Sequence, residues 1–551
     1  MSQETFTADE ERLLGNFVTS TTSTVFCLVN LPETVKGALF SRYSRSTKGL
    51  RRLLIDEFLK NPEGGFVADA GAAAGDAMGQ MLNVARAQEF YDRILDGYGD
   101  DSIGELGGAH LALERISNIA SKTVEDCRIG GSPLEKSTRY VRFDQKVDGQ
   151  YQYYREPAIM ASRHADAYVE TMDFLFSTYS RLIDPLQGFV HERFPQEEGV
   201  SKGAYDASVR SMALDCLRGL LPAATLTNVG LFGNGRFFES LLMKLRMSPL
   251  AELRSLADLS QAELDKVIPS FVRRARKDSR HFASQEAFHA ARSAAVREAA
   301  LTVMRGDTMK RSSPPSPPEK SVSPVKLVRS ERDAEERVLA AILYPEHQVP
   351  LAEVLDNIRS LPGGEKDRIL SAYLAGRANR RHKPGRALEH ATYTFDILAD
   401  FGCYRDLQRH RMLTQERQLL STKHGYSVPG PVDEAGFGRD YREALDRADT
   451  LCKEIAREMP VEAQYAVPFA YRLRWYFCAN LRALVWLCEL RTVPQGHESY
   501  RRVAQELFRE VERVHPRLAA CFGFVDMNRY ALGRLTSEMK AEERKLSRWM
   551  R

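Results

Sequence analysis

Residues 386–411 read RALEHATYTFDILADFGCYRDLQRHR, and this stretch decides the fold of the second half of the chain. Residues 392–397 alternate polar and apolar side chains and are rich in aromatic and β-branched residues, which predicts a strand. An amphipathic stretch from about Asp400 predicts a helix after it. Gln408-Arg409-His410-Arg411 lies near the end of that stretch.

The triplet Arg409-His410-Arg411 has two interpretations. Arginine offers planar, forked donors that suit phosphate and carboxylate, and histidine adds a ring that can stack on or hydrogen-bond to a heteroaromatic ligand. Alternatively, the triplet is a solvated charge run at a helix end, where cations complement the helix dipole. If the triplet is helical, Arg409 and Arg411 point about 200° apart and serve different ligands or different faces of an interface.

Outward from this stretch, helical patterns dominate both halves. Residues 368–377 and 500–514 carry apolar side chains at helical spacing. Strands are fewer, so the sequence predicts a helix-rich α+β class.

A proline- and serine-rich segment divides the chain. It begins at Arg305 as RGDTMKRSSPPSPPEKSVSPVK, which cannot build a core. We therefore predict a first domain over residues 1–304 with an N-terminal helical extension, a linker over 305–330 and a second domain over 331–551. The formal charge of the 551 residues is only +4, and no apolar run is long enough for a membrane span. Because residues 1–12 are polar and acidic rather than a signal peptide, we expect a cytoplasmic protein without nucleic-acid or membrane partners.

The two halves echo each other. Asn234 follows Pro222 by twelve residues, and Asn480 follows Pro468 by the same interval. Upstream, Glu105 precedes Cys127-Arg128-Ile129 as Glu389 precedes the triplet. The common order predicts an internal duplication.

The second half resembles the flavin-dependent thymidylate synthase family. Glu389-His390, the strand, the helix and the triplet follow in that family's order, and so do the motifs downstream. These are Gln464-Tyr465-Ala466-Val467-Pro468, Asn480-Leu481-Arg482, Glu489-Leu490-Arg491, Gly496-His497 and Tyr500-Arg501-Arg502.

The first half resembles the same family in complementary places. Residues 100–105 are similar to its H-x-S-x-x-E segment, with Asp100 where histidine is usual and Ser102 retained. Ser137-Thr138-Arg139-Tyr140 is similar to the serine-containing tail of the family signature. Arg218, Asn234-Gly235-Arg236 and Glu252 extend the match. Counting back from Ser137, the triplet positions hold Cys127, Arg128 and Ile129.

The resemblance implies FAD as cofactor, NADPH and methylenetetrahydrofolate as co-substrates, and methylation of deoxyuridine monophosphate without a cysteine nucleophile. It implies cofactor contacts for Arg409, His410, Arg411, Ser102 and Asn480. It implies contacts with the nucleotide substrate for Ser137, Arg139, Arg236 and Arg482. Arg236 and Arg482 have an alternative role as partners in internal salt bridges. Ser137 has an alternative role as a helix cap.

Each half departs from the family pattern. Leu419 stands at the signature serine, and Pro384 and Arg386 stand where the family has histidine and a hydroxyl residue. Asp406 stands where the family often has glutamine, although it could also pair with His410 on a helix. We therefore expect the halves to pair as a pseudo-dimer with one composite site, and two chains to form a homodimer that mimics the family homotetramer. The alternatives are a flavoenzyme for another base or nucleotide, and a non-catalytic nucleotide- or flavin-binding paralogue.

Overall fold

The computed structural model describes residues 5–44, 46–59, 104–127, 129–305 and 323–549. In the described residues up to 305, the elements follow in the order α1 (Ala8–Leu14), α2 (Glu33–Tyr43), α3 (Leu50–Leu53) with a π-helical turn (Leu54–Leu59), β1 (Gly108–Ser117), α4 (Asn118–Glu125), β2 (Gly131–Glu135), β3 (Lys146–Val147), β4 (Gln150–Tyr151), α5 (Pro157–Met160), α6 (Ala165–Arg193), α7 (Lys202–Leu217), β5 (Leu226–Asn234), α8 (Gly235–Arg246), α9 (Ala251–Leu264), α10 (Pro269–Val272) and α11 (Arg280–Arg305). From residue 323 they continue with β6 (Val325–Ser330), α12 (Ala334–Leu343), α13 (Leu351–Ser360), α14 (Gly363–Leu374), β7 (Thr392–Asp400), α15 (Phe401–Leu407), β8 (Thr414–Arg417), α16 (Gly430–Glu434), α17 (Gly438–Ala456), β9 (Arg472–Asn480), α18 (Leu481–Arg491), α19 (Glu498–Val514), α20 (Pro516–Ala519) and α21 (Leu535–Trp549). The helix-rich α+β class is confirmed.

The sheet of the second repeat contains the strand that the sequence predicts at residues 392–397. Its order is β6-β7-β9-β8, and β7 and β9 pair antiparallel from Thr392 opposite Asn480 to Asp400 opposite Arg472. Alternate residues of the two central strands are buried, and they are Tyr393, Phe395, Ile397 and Ala399 on β7 and Leu473, Trp475, Phe477 and Ala479 on β9. The period of two that suggested the strand therefore reflects one face packed on a core.

The first repeat has a sheet of the same order. Its strands β1-β5-β2 correspond to β7-β9-β8, and both sheets continue from their central strand directly into a helix. Asn234 Oδ1 accepts the Phe237 N–H at 2.9 Å at the start of α8, and Asn480 Oδ1 accepts the Ala483 N–H at 2.8 Å at the start of α18. The tandem duplication inferred from the sequence is confirmed at this level.

The described residues form two compact units whose boundaries differ from those of the repeats. The smaller unit holds the described residues of Met1–Arg115, Thr123–Glu135 and Asn228–Lys310. The larger unit holds those of Ile116–Lys122, Lys136–Thr227 and Arg311–Arg551. Residues 136–227 of the first repeat are thus part of the same unit as the whole second repeat.

The predicted linker is shorter than expected at its end. Residues 325–330, the last part of that segment, form β6, which pairs with β7 and buries Val325. At the other end, α11 runs to Arg305, and residues 306–322 lie outside the described ranges. The domain limits 1–304 and 331–551 stay a prediction about the repeats.

Inside the larger unit the two repeats meet about a local two-fold axis. The Ala223 N–H donates to the Val467 carbonyl at 2.8 Å, and the Phe469 N–H donates to the Leu221 carbonyl at 2.9 Å. A second reciprocal pair joins Ala224 N to Tyr465 O at 3.0 Å and Ala470 N to Gly219 O at 3.0 Å. Each bond has its counterpart with the repeats exchanged, as expected for an isologous contact. Pro222 and Pro468, which marked the echo in the sequence, face each other at its centre.

The larger unit has a core to which both repeats contribute. Helices α6 and α7 of the first repeat pack on each other, and α17 of the second packs on α6. All eight cysteines are free thiols, of which Cys403, Cys452, Cys488 and Cys521 are buried. Within the described residues, no helix combines the length and apolar character that a bilayer span requires.

Candidate functional site

The triplet lies in a turn between a helix and a strand. The helix expected from about Asp400 begins at Phe401, where Asp400 Oδ1 accepts the Cys403 N–H at 2.7 Å, but it ends at Leu407. The triplet follows that end, so the helical geometry considered for Arg409 and Arg411 does not apply. Gln415 Nε2 donates to the Gln408 carbonyl at 2.9 Å and holds the turn against the start of β8.

Asp406 is an ionised acid among arginines. Its Oδ2 lies 3.3 Å from Nη1 of Arg218, and the positive charges that act on it come from Arg218, Arg139, Arg491 and Arg409. Burial alone would raise the pKa of Asp406, but these charges outweigh burial and hold that pKa below its usual range. The alternative pairing of Asp406 with His410 gives way to the pair with Arg218.

Arg218 is a buried cation from the first repeat. It begins the 3₁₀ turn Arg218–Leu220, and its side chain is only 4% exposed. Gly402 leaves room for its guanidinium, because a Cβ there would lie 3.2 Å from Arg218 Nη2. Among the described residues Nη2 has no hydrogen-bond partner. Such a donor is costly to bury unless a ligand or water satisfies it.

His410 is held as a neutral acceptor. Arg491 Nε donates to His410 Nε2 at 2.9 Å, so that nitrogen carries no proton and the ring proton sits on Nδ1. Burial, and then the charge of Arg491, lower the pKa of His410 well below its ordinary value. His410 can therefore offer one Nδ1–H donor to a ligand near neutral pH.

The ring of Tyr500 lies near two arginines from different repeats. The guanidinium of Arg139 is 5.6 Å from the centroid of its ring, and that of Arg491 is 5.5 Å from it. Arg139 Nη1 also donates to the Tyr500 hydroxyl at 3.0 Å. The ring is buried, so it links the loop of residues 137–140 to the partner of His410.

Arg139 forms a two-pronged ion pair with Asp215 on α7. The Nε–Oδ1 distance is 2.8 Å and the Nη2–Oδ2 distance is 2.7 Å. Desolvation opposes both charges, yet the mutual attraction raises the pKa of Arg139 and lowers that of Asp215. In the same loop, Ser137 Oγ accepts the Arg139 N–H at 3.3 Å in a turn, and Thr138 Oγ1 accepts from Arg405 Nη1 at 3.4 Å.

His497 supports this ion pair. Its Nδ1 accepts the Ser499 N–H at 3.1 Å at the start of α19, so Nε2 carries the proton and donates to the Asp215 carbonyl at 3.2 Å. Burial first, and then the charge of Arg218, lower the pKa of His497 to about 4. His497 is therefore neutral near pH 7.

Other residues predicted for the site lie in ion pairs or outside the described ranges. Arg236 Nη1 lies 2.8 Å from Glu105 Oε1 in the smaller unit, and Arg482 Nη1 lies 2.8 Å from Glu389 Oε1 in the larger unit. These pairs match the internal salt-bridge alternative, and substrate contacts for both arginines stay a prediction. Asn480 caps α18, Arg411 is exposed, and Ser102 lies outside the described residues.

The strand registers show which residues of the two repeats correspond. Ser132 of β2 faces Phe232, as Thr414 of β8 faces Cys478. This alignment puts Cys127 and Ile129 at the positions of Arg409 and Arg411. By the same alignment, Leu419, Ser421 and Gln464 stand at the positions of Ser137, Arg139 and Arg218. Gln464 Oε1 accepts from Arg417 Nη1 at 3.0 Å and from the Leu420 N–H at 3.1 Å, so it binds its own loop.

A cavity of about 500 Å³ lies in the larger unit beside the pair of Arg482 and Glu389. Its lining combines two arginines with aromatic and aliphatic side chains. The lining residues are Arg337, Ala341, Ile342, Pro345, Tyr373, Arg386, Ala387, Glu389 and His390. Its volume is within the range of small-molecule sites. In the described ranges, no cluster of His, Cys, Asp and Glu side chains is arranged to hold a metal ion.

Sequence reasoning gave no role to Asp215, Arg218, Arg491, His497 or Tyr500. Four of them stood within motifs that carried the resemblance, so those motifs were the available signal. Asp215 had no signal, because a single acid in an amphipathic helix is ordinarily a surface residue.

Comparison with known proteins identifies a family. A family model described as thymidylate synthase complementing protein matches residues 62–270 and 326–517. A UPF0159 protein of Chlamydia pneumoniae is 49% identical over 540 residues, which are 98% of this chain and 99% of the relative. A UPF0159 protein of Thermoplasma acidophilum is 34% identical in an alignment of 531 residues, and the match covers 92% of this chain and 98% of the relative. Both matches extend over the two repeats.

Proposed function

The chain belongs to the thymidylate synthase complementing protein family, and on that premise we propose that it is a flavin-dependent enzyme that methylates the uracil ring of deoxyuridine monophosphate. Methylenetetrahydrofolate and NADPH are the proposed co-substrates, and thymidylate is the proposed product. One composite site per chain, built by both repeats, carries the activity.

The observation that carries this proposal is the meeting of two sequence motifs within one compact unit. The hydroxyl-bearing loop of residues 137–140 comes from the first repeat, and the triplet of residues 409–411 comes from the second. Thr138 accepts a hydrogen bond from Arg405, four residues before Arg409, and Arg139 reaches Tyr500, which stacks with the arginine that holds His410. Motifs about 270 residues apart in sequence therefore belong to one polar cluster.

The charges of this cluster fit an anionic ligand. Four arginines, Arg218, Arg139, Arg491 and Arg409, act electrostatically on Asp406, and both His410 and His497 are neutral. Arg218 Nη2 is a buried donor that has no hydrogen-bond partner among the described residues. A nucleotide phosphate supplies the charge and the acceptor that this arrangement needs.

The residues present also fit FAD. Its two phosphates suit Arg409 and Arg411, and the cavity of about 500 Å³ beside Glu389 is the proposed place for a ring system. When bound, FAD supplies the hydride that completes the methyl group. Asn480 orders the start of α18, and Ser102 stays a proposed contact on the flavin side.

The protein's part in the proposed reaction is binding, orientation and exclusion of water. His410 donates its Nδ1–H to a carbonyl of the pyrimidine or flavin, and Arg218 binds the nucleotide phosphate. Ser137 and Arg482 are further proposed contacts of the nucleotide in the larger unit, and the contact expected for Arg236, which lies in the smaller unit, stays a prediction. The two arginines must exchange their glutamate partners for phosphate, which costs less at half-exposed positions than at buried ones.

A second candidate is a flavoenzyme of the same family that acts on another base. It is favoured by Asp406, a largely buried carboxylate that only accepts hydrogen bonds when ionised, whereas a glutamine amide also donates. A base that presents more donors than the single N3–H of uracil would suit Asp406 better.

The test is to purify the protein, record its absorption spectrum and supply deoxyuridine monophosphate, methylenetetrahydrofolate and NADPH. We expect an oxidised-flavin spectrum and formation of thymidylate. Protein that is colourless and cannot be reconstituted with FAD contradicts both candidates. Flavin reduction by NADPH without thymidylate rejects the first candidate and supports the second.

Paired variants test the composite site. Arg409→Ala and Ser137→Ala should each lower turnover by about a hundredfold or more, because misplaced ligands lose that much rate. Cys127→Ala and Leu419→Ala, at the corresponding positions of the other repeat, are matched controls and should leave turnover within about twofold. Full activity of Ser137→Ala would mean that the two repeats do not share a site.

We also propose that two chains associate as a homodimer in the cytoplasm, since a dimer of tandem chains contains four repeats. Mass photometry of the purified protein measures this assembly.

A further inference from the structure

Arg139 has little hydrogen-bonding capacity left for a ligand. Guanidinium has five N–H donors, and four hydrogen bonds already leave it. They run to both carboxylate oxygens of Asp215, to the Tyr500 hydroxyl and to the Gln495 carbonyl at 3.1 Å. A phosphate that approached Arg139 would find one N–H donor at Nη1, and any second hydrogen bond would require it to displace the largely buried, ionised Asp215 or another of these partners.

The partners of Arg139 form a continuous path to the triplet. Asp215 on α7 fixes Arg139, and Arg139 fixes Tyr500 through its hydroxyl and ring. The guanidinium of Arg491 lies 5.5 Å from the centroid of the same ring, and Arg491 Nε donates to His410 Nε2. Every member of this path lies in the larger unit.

We infer that Arg139 is a positioning residue, held by Asp215, that orients His410 through Tyr500 and Arg491 rather than binding the nucleotide phosphate itself. The first repeat thereby sets the geometry of a histidine in the second. Arg218, whose buried Nη2 has no hydrogen-bond partner in the part of the chain that the structure describes, is the phosphate ligand of the first repeat. The inference concerns the same site as the proposed function and rests on it for the ligand measurements only.

The first measurement needs no ligand. The full chain is labelled with ¹⁵N-histidine, and His410 is assigned by comparison with His410→Gln. We expect Arg139→Gln and Tyr500→Leu to move the ring ¹⁵N shifts of His410 and to raise its pKa, because Arg491 is released from the ring nitrogen. Tyr500→Phe keeps the ring and should give a smaller shift in the same direction.

Tyr471→Phe is the matched control for this measurement. Tyr471 is a buried tyrosine of the same unit whose hydroxyl donates to the Leu445 carbonyl at 2.8 Å, and its variant should leave His410 unchanged. If the ring ¹⁵N shifts and the pKa of His410 are also unchanged in Tyr500→Phe and in Arg139→Gln, Arg139 does not position His410 and the inference is wrong. Tyr500→Phe decides the matter if Arg139→Gln fails to fold.

The second measurement compares the dissociation constants of deoxyuridine monophosphate and deoxyuridine for the FAD-loaded protein. If Arg139 is a positioning residue, Arg139→Gln should raise the dissociation constants of both probes by the same factor, within about twofold. Arg218→Gln should instead remove most of the difference in affinity between the nucleotide, which has a phosphate, and the nucleoside, which has none. A phosphate-binding role predicts instead that Arg139→Gln erases that difference, which overturns the inference. Wild-type protein that binds neither probe contradicts the proposed function, and the ¹⁵N measurement still decides the inference.

Discussion

The ion pair of Arg218 and Asp406 should couple more strongly than the pair of Arg482 and Glu389, although its charges are farther apart. The first pair is separated by 3.3 Å with side chains 4% and 21% exposed, and the second by 2.8 Å with side chains 36% and 28% exposed. With an effective dielectric constant of about 20 the first attraction is about 5 kcal/mol, and desolvation reduces the net coupling to about 2–3 kcal/mol. For the second pair, screening by water reduces the attraction to about 1.5 kcal/mol. Ordering the two side chains costs part of this in entropy, so we expect a coupling below about 1 kcal/mol.

Two double-mutant cycles measure these couplings. One combines Arg218→Gln with Asp406→Asn, and the other combines Arg482→Gln with Glu389→Gln. Both pairs lie in the larger unit, so the same unfolding transition, followed by urea denaturation and circular dichroism, reports on both. Added salt should weaken only the second coupling. A coupling for Arg482 and Glu389 that equals or exceeds the other would refute the argument that burial outweighs distance here.

Two further predictions concern stability. Asn234→Ala and Asn480→Ala remove equivalent helix caps, so each should lower the local stability by about 1 kcal/mol. Faster amide hydrogen exchange in the first turn of α8 or α18 measures this loss. If the protection of the amides fell in only one of the two helices, the caps would not be equivalent. The pKa of His497 is about 4 in the folded protein and about 6.5 in the unfolded protein. Neutral His497 therefore contributes up to about 3 kcal/mol to the free energy of unfolding, and this contribution is complete above about pH 6.5 and is lost as the pH falls towards 4. His497→Asn keeps the cap and should flatten this part of the stability profile, and an unchanged profile would show that His497 is not the titrating group.

The sequence predicted those parts of the fold that depend on local periodicity. Strand β7 was recognised because its alternate residues pack on one core, and α19 because its apolar residues recur at helical spacing. The end of α15 at Leu407 was missed, since no glycine or proline marks it and the turn is closed by Gln415 from the next strand. The six residues of strand β6 were assigned to the linker because their stabilisation is not local in the sequence. They are stabilised by pairing with β7, which follows more than 60 residues later in the sequence.

The composition of the site was less predictable than the fold. The triplet and the loop of residues 137–140 could be found because they resemble known motifs, but their partners depend on which helices meet. Asp215 becomes part of the site because α7 brings it beside Arg139, at a separation of 76 residues. His497 and Tyr500 likewise acquire their contacts from the start of α19, whose position relative to the first repeat has no local signature.

The losses in the two repeats have a simple pattern once the local two-fold relation is known. A two-fold relation between repeats would generate two equivalent sites, each with a triplet from one repeat and a hydroxyl loop from the other. The combination of the first repeat's triplet positions with the second repeat's loop has been replaced at four positions, by Cys127, Ile129, Leu419 and Gln464. The opposite combination keeps the residues at the corresponding positions, which are Arg409, Arg411, Ser137 and Arg218. At these four pairs of positions, what looks like partial decay of both halves is therefore loss from one combination and retention in the other. Asp406, just before the retained triplet, is a departure within the retained combination. Random decay of a non-catalytic paralogue would have removed residues of both combinations at these four pairs of positions, so their pattern supports the proposed single site per chain.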